Sequence, residues 1–319
     1  MKKNPHPFHR HGISFLKASL FLSVTFYVGK CLVDSFSLLD RSILVFRFAW
    51  ITAGLLLILP SPVAGAFVYK YVYRQLAAPL SLPEAFVLLT LPAVGKYMPG
   101  KILSLAGHAV LARTFGVETS VACAAIIVLT LTALAAALLF GFMLIPIDIP
   151  DGVPLLPVAS AVSAAGIVLM VLIHHRSRKR FHNSFPESSH DPSRPIRISV
   201  LSMGIVSLGM FVQVGLLMTG VCVVTMGFVS LPLSAVPAFV GMSCLSGVAG
   251  FLALFAPAGI GVREGLLLAM LTPVAGAGSA AMVTVLSRLI QTVLDALLGC
   301  TGFVVLRKIR NKLPSPAGN

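Results

Sequence analysis

The stretch LPEAFVLLTLPAVGKYMPGKILSLAGHAVLARTFGV, residues 82–117, decides the fold. It is an apolar block interrupted midway by Lys96-Tyr97-Met98-Pro99-Gly100-Lys101. A hydrocarbon core of roughly 30 Å takes about 20 apolar residues of helix to cross. Backbone groups facing lipid must be satisfied internally, so such blocks form helices. A proline-glycine break flanked by two lysines inside one of them predicts a broken helical hairpin.

Further apolar runs flank this block at 13–33, 44–69, 120–145, 155–173, 199–229, 233–256, 259–274 and 278–306. The run at 13–33 is too long for a signal-peptide core and no small-x-small cleavage site follows it, so it reads as a retained first helix. Composition agrees: 57% of residues are hydrophobic and only 11% charged, against about 25% charged in soluble domains. Mean hydropathy is +0.96. Too few charges are present to cover a water-facing surface, and the alternating period of a membrane barrel is absent. The expected fold is an all-α transmembrane bundle over 13–310, with halves 13–173 and 199–310, a loop at 174–198 and tails at 1–12 and 311–319.

The net charge of +14 is concentrated in the tails and that loop, next to helix ends. This is a topology and headgroup signal rather than a nucleic-acid one. Arg176, Arg178, Lys179, Arg180, Arg194 and Arg197 crowd the loop, and Arg307, Lys308, Arg310 and Lys312 the C-terminus. The turn at 146–154 has Asp148 and Asp151 but no lysine or arginine. The bias predicts a cytoplasmic loop and cytoplasmic termini. Parity then requires block 82–117 to enter and leave on the cytoplasmic side, as a re-entrant hairpin. Residues 233–275 would begin and end outside, and they too are broken, at Phe255-Ala256-Pro257-Ala258-Gly259-Ile260-Gly261. Two broken hairpins in corresponding positions predict an inverted repeat.

Chemistry concentrates at the breaks. The segment Gly95 to Lys101 imitates a nucleotide P-loop, but Ile102 stands where magnesium needs a hydroxyl, and Pro99 lacks an N–H. What survives is a helix starting near Lys101 whose free N–H groups attract anions, with Lys96 and His108 nearby. The second break starts another helix, with Arg263 and Glu264 in its first turn; it lacks the glycine spacing of a dinucleotide fingerprint. In the last span Thr284, Ser287, Arg288, Gln291 and Asp295 follow i, i+3, i+4, i+7, i+11 and form one polar stripe. Arg288 and Asp295 lie two turns apart and cannot pair directly, so the expected partners are Glu264 for Arg288 and Arg263 for Asp295.

Each of these features also has an ordinary structural role open to it. Lysines near a break can be interfacial side chains that snorkel, His108 a packed histidine, and an Arg–Glu pair mere helix glue. Ala133, Ala137 and Gly141 form an ordinary packing seam. Cys31, Cys123, Cys222, Cys244 and Cys300 are far apart in apolar segments and suggest neither disulfides nor zinc. His174, His175, His182 and His190 lack zinc spacing.

Lys96 to Ile102, continued by Ala112-Arg113-Thr114-Phe115-Gly116-Val117, resembles the first signature of the lysylphosphatidylglycerol synthase transmembrane, or flippase-like, family. That signature is a proline-glycine turn, a short helix ending in a basic residue, and a Gly-Val. The segment 256–265 resembles the second signature, and Arg288-Leu289 the third. The chain has His108 where relatives often carry arginine, and Ala258 where a second glycine is common. Lipid-modifying members carry a soluble aminoacyl-transferase domain. With the chain ending at Asn319, the resemblance implies the translocating part alone.

These readings predict a bacterial inner-membrane protein that moves an anionic or polyprenyl-linked amphipathic lipid between leaflets. No catalytic residues, cofactor or metal are expected, and transport would be driven by a gradient, a coupled pathway or downhill flow. The expected headgroup-binding set is Lys96, Pro99, Gly100, Lys101, His108, Arg113, Gly259, Gly261, Arg263, Glu264, Arg288, Gln291 and Asp295. Partners would be anionic or polyprenyl-phosphate-linked lipids, together with lipid or glycan biosynthesis enzymes, and not nucleic acid. Two other classes fit the same sequence: an intramembrane lipid-modifying enzyme, and a non-transporting scaffold for a synthase.

The topology is testable in intact cells with a membrane-impermeant thiol reagent, in a background without native cysteines. Cysteines at Ser184 and Ser315 should be shielded and one at Gly152 labelled. Labelling at Ser184 from outside would reverse the orientation.

Overall fold

A computed structural model of the protein describes residues 46–97, 102–144, 200–253 and 256–312. The expected spans at 13–33 and 155–173, the loop 174–198, and Pro99, Gly100 and Lys101 lie outside the described residues. Every regular element described is helical. α1 (Phe48–Ile58) and α2 (Pro60–Gln75) form one continuous run, because Leu59 between them is itself helical and its N–H bonds Leu55 O at 2.9 Å. This run continues past the expected end at residue 69. Its last turns are amphipathic, with Val72, Tyr73 and Leu76 buried while Lys70 and Arg74 stay exposed.

The first hairpin is α3 (Leu82–Val94), a 3-10 turn (Gly95–Tyr97) and α4 (Ile102–Thr114). α3 starts where the Ser81 N–H and hydroxyl both donate to Glu84 Oε2 at 2.7 Å, which satisfies an orphan donor at the helix start. Pro92 near its end precedes the switch to 3-10 geometry. The Ser104 hydroxyl of α4 donates to Pro92 O at 2.8 Å, so the two arms are tied just inside the break. α5 (Thr119–Leu144) and α6 (Val200–Met226) follow.

The second hairpin is α7 (Ala235–Leu252), a 3-10 turn (Pro257–Gly259) and α8 (Val262–Ala275). α9 (Ala277–Lys312) closes the bundle. Its 36 residues make a rod of about 54 Å at 1.5 Å per residue, well beyond the roughly 30 Å hydrocarbon core. α3, α4 and α8, of 13, 13 and 14 residues, are too short to cross that core alone. Five described helical runs are long and apolar enough to do so: Phe48–Gln75, Thr119–Leu144, Leu201–Met226, Ala235–Leu252 and Ala277–Asn311.

Small residues let these helices approach, as packing without a hydrophobic drive requires. Gly54 of α1 meets Gly220 of α6 so closely that a Cβ on either would strike the other's carbonyl. Gly141 of α5 lies against Leu245 of α7, as its small-residue seam suggests, and Gly299 and Gly302 of α9 lie against Val94 and Thr90 of α3. Thus α5 packs on the first arm of the second hairpin, and α9 on the first arm of the first hairpin. α2 contacts α3, as α6 contacts α7. Phe48, Leu56, Leu208, Val293 and Leu297 are exposed. Large apolar side chains outside and small ones between helices suit lipid as solvent.

The second break is shaped by its backbone. Gly259 takes φ +71° and packs against α7, where an added Cβ would sit 2.6 Å from Gly250 Cα and O. Gly261 at the start of α8 takes φ +86°. Ala258 takes φ 51° and ψ 17°, a left-handed conformation that glycine adopts more readily. Gly259→Ala should therefore lower stability by about 1–3 kcal/mol and reduce accumulation in the membrane. Gly265→Ala, in α8 with open space at its Cβ, should be tolerated. Thermal unfolding of both variants in detergent checks this, and equal melting temperatures would contradict it.

Candidate functional site

The two breaks touch: the 3-10 turn Gly95–Tyr97 contacts the 3-10 turn Pro257–Gly259. α9 packs on both hairpins, along α3 and along α8. It turns Leu289, Val293 and Leu297 outward, while Arg288, Gln291 and Asp295 are partly buried on other sides of the helix.

At the first break Lys96 Nζ lies 2.6 Å from Asp295 Oδ2. The Tyr97 hydroxyl donates to the same oxygen, also at 2.6 Å. At the second break Arg288 Nε lies 3.2 Å from Glu264 Oε1, an ion pair in which Oε1 accepts no hydrogen bond among the described residues. Glu264 Oε2 accepts the Gly261 N–H at 2.7 Å, satisfying an orphan donor at the start of α8. Arg288 Nη2 donates to Ala258 O at 3.3 Å, so the same guanidinium also holds the break's own carbonyl. The Tyr97 ring lies between the two pairs, 5.4 Å from Lys96 Nζ and 6.0 Å from Arg288 Cζ. Both are at cation–π range.

The pairing corrects one expectation. Glu264 does pair with Arg288, but Asp295 pairs with Lys96 and Tyr97 rather than with Arg263. The cause is the meeting of the breaks, which brings residues nearly 200 positions apart in sequence within bonding distance. Arg263 is partly buried with its Cβ facing Gly250. Among the described residues no hydrogen bond or ion pair holds its guanidinium, which lies within electrostatic reach of Arg288, Glu264 and Asp295.

Other residues of the expected set fall elsewhere. His108 is fully buried, sharing a 2.6 Å hydrogen bond with the Tyr73 hydroxyl of α2 and facing the Tyr69 ring. It fastens α4 to α2 instead of joining the charges. Arg113 is exposed in the last turn of α4. Gln291 is partly buried and makes no hydrogen bond among the described residues. Thr284 and Ser287 are buried and bond back to carbonyls of their own helix, Ala280 O and Thr284 O. The polar stripe therefore divides into a self-satisfied upper part and a charged lower part. Tyr97 was absent from the expected set. A tyrosine beside a lysine in a membrane break carries a hydroxyl that needs a partner once buried, and that was the available signal.

Helical spans, an apolar exterior and ion pairs that join the last helix to each of two broken hairpins define a multi-pass helical membrane protein. Its charged site is built from three separate parts of the chain. The model of the lysylphosphatidylglycerol synthase TM region matches residues 16–299, and the chain belongs to that family. No curated protein matches it. Membership ties the chain to a membrane-lipid-related function.

The Arg288–Glu264 pair is open to a double-mutant cycle. Arg288 and Glu264 are 14% and 27% exposed, so each would be poorly solvated alone. Arg288→Gln and Glu264→Gln should each lower stability, and the double variant should recover part of the loss. A coupling of about 0.5–3 kcal/mol is expected from unfolding in detergent. Strict additivity would mean that the pair contributes nothing.

Proposed function

We propose that the protein translocates a lipid with an anionic headgroup between the leaflets of a bacterial inner membrane, headgroup past the two breaks and tails in the bilayer. The observation that carries this reading is the excess of positive charge where the breaks meet. Lys96 and Arg288 are matched by Asp295 and Glu264, and Arg263 adds a cation with no partner among the described residues. An unpaired charge at membrane depth costs roughly 2.5–3.5 kcal/mol on insertion scales. A site that keeps one has a use for it, and an anionic phosphate offsets it. Arginine suits this task because its planar fork takes two phosphate oxygens at once.

The contact pattern supports an inverted repeat beneath this activity. Exchanging α2, α3, α4 and α5 with α6, α7, α8 and α9 maps α2–α3 onto α6–α7, and α4–α5 onto α8–α9. It maps the α5–α7 contact onto α9–α3. The cytoplasmic termini expected from the lysine and arginine bias fit the same scheme. A phosphodiester lipid and a polyprenyl-phosphate-linked lipid share the anionic chemistry required. Downhill movement or coupling to a consuming synthase would supply direction.

Purified protein in vesicles should scramble a tail-labelled anionic lipid faster than protein-free vesicles do. Arg263→Ala should accumulate normally, since no ion pair among the described residues is lost, and slow scrambling about tenfold, a barrier change of about 1.4 kcal/mol. Arg263→Lys should restore only part of the rate. Wild-type scrambling by an abundant Arg263→Ala variant would overturn the headgroup path.

A further inference from the structure

We propose that the first break carries an oxyanion-binding site made by the Lys96 ammonium and the Tyr97 hydroxyl, which Asp295 fills as a built-in stand-in for the ligand's anionic oxygen. The proposal rests on the reading above and adds how the site is kept before the ligand arrives.

Two donors from adjacent residues of one 3-10 turn converge on a single carboxylate oxygen, each at 2.6 Å. A phosphate oxygen can be held the same way, because a bond to an ionised oxygen is charge-assisted whether an ammonium or a phenol donates it. Among the described residues the other carboxylate oxygen accepts no bond. Here Lys96 is 38% exposed while Asp295 is 19% exposed, so the open side of the pair is the cation's. The carboxylate comes from α9, not from the hairpin that supplies the donors, so the two can part without unfolding either hairpin. Around it lie Arg288, at 6.0 Å from the Tyr97 ring and itself paired with Glu264, and Arg263, within electrostatic reach of Asp295, so cations outnumber carboxylates about the position occupied by Asp295. An incoming phosphate or carboxylate group is attracted to that position and competes with Asp295 for it.

The competition predicts an inverted effect: removing a charge from the site improves binding of an anion. Full-length protein in neutral detergent micelles would be titrated with tail-labelled phosphatidylglycerol, and separately with inorganic phosphate. If the cradle is free of Asp295 in a tenth of molecules, apparent affinity is reduced to that fraction. Asp295→Asn should then tighten binding about tenfold, and Lys96→Gln in the Asp295→Asn background should abolish the gain. Tightening for the lipid alone assigns the site to a headgroup, and tightening for both probes assigns it to oxyanions generally; either supports the proposal. Unchanged or weaker binding of both probes by folded Asp295→Asn overturns it. Should that variant not accumulate, Lys96→Gln alone decides: a loss of about tenfold supports the site, and wild-type affinity overturns it. Because the readout is equilibrium binding, tightening without any scrambling by the wild-type protein would sink the transport reading and leave this site standing.

Discussion

Charge among apolar spans is costly unless it is paired, and the pairing of Asp295 sets where the last helix meets the first break. One carboxylate oxygen accepts from Lys96 and Tyr97, and the last helix is thereby fastened to the first break. Seven residues earlier, Arg288 fastens the same helix to Glu264 and to the carbonyl of Ala258 in the second break. Seven residues of helix rise about 10 Å, so one straight rod can serve both breaks. Gly299 and Gly302 let that rod lie close on α3, and its α8 contact completes the strap.

The breaks themselves are stable only because their freed backbone groups find partners. Irregular backbone at membrane depth is tolerated where it is buried in protein or lines a cavity. Ser104 serves the Pro92 carbonyl, Arg288 the Ala258 carbonyl, and Glu264 the Gly261 N–H. Two of these three partners are also members of the charge cluster. The same side chains therefore satisfy the irregular backbone and set the electrostatics where the breaks meet. His108 illustrates the opposite case. It is a polar side chain in a hairpin arm that the fold uses to join α4 to α2 through Tyr73.

Membership of the lysylphosphatidylglycerol synthase TM region family, matched along most of the chain, ties it to a membrane-lipid-related function. The charge cluster, with two ion pairs and Arg263 near the touching breaks, is the feature on which the proposed headgroup path is built.

By itself the sequence determined that the chain is a helical membrane protein, because hydropathy and backbone satisfaction in lipid leave no alternative. Both breaks were legible, since proline and glycine inside apolar blocks act locally. So was the need of Arg288 and Asp295 for partners on other elements, because helical spacing alone keeps them apart. The Glu264–Arg288 pair was legible too, with both residues in the last two apolar segments. What only the tertiary structure decided is which partner Asp295 takes. Lys96 and Tyr97 are nearly 200 residues away, and no local pattern encodes the contact between the two breaks. That contact follows from the close crossings at small residues, which position α3, α8 and α9 together. It also left Arg263 without an ion-pair partner among the described residues, because the carboxylate expected for it was already held by a nearer ammonium and hydroxyl.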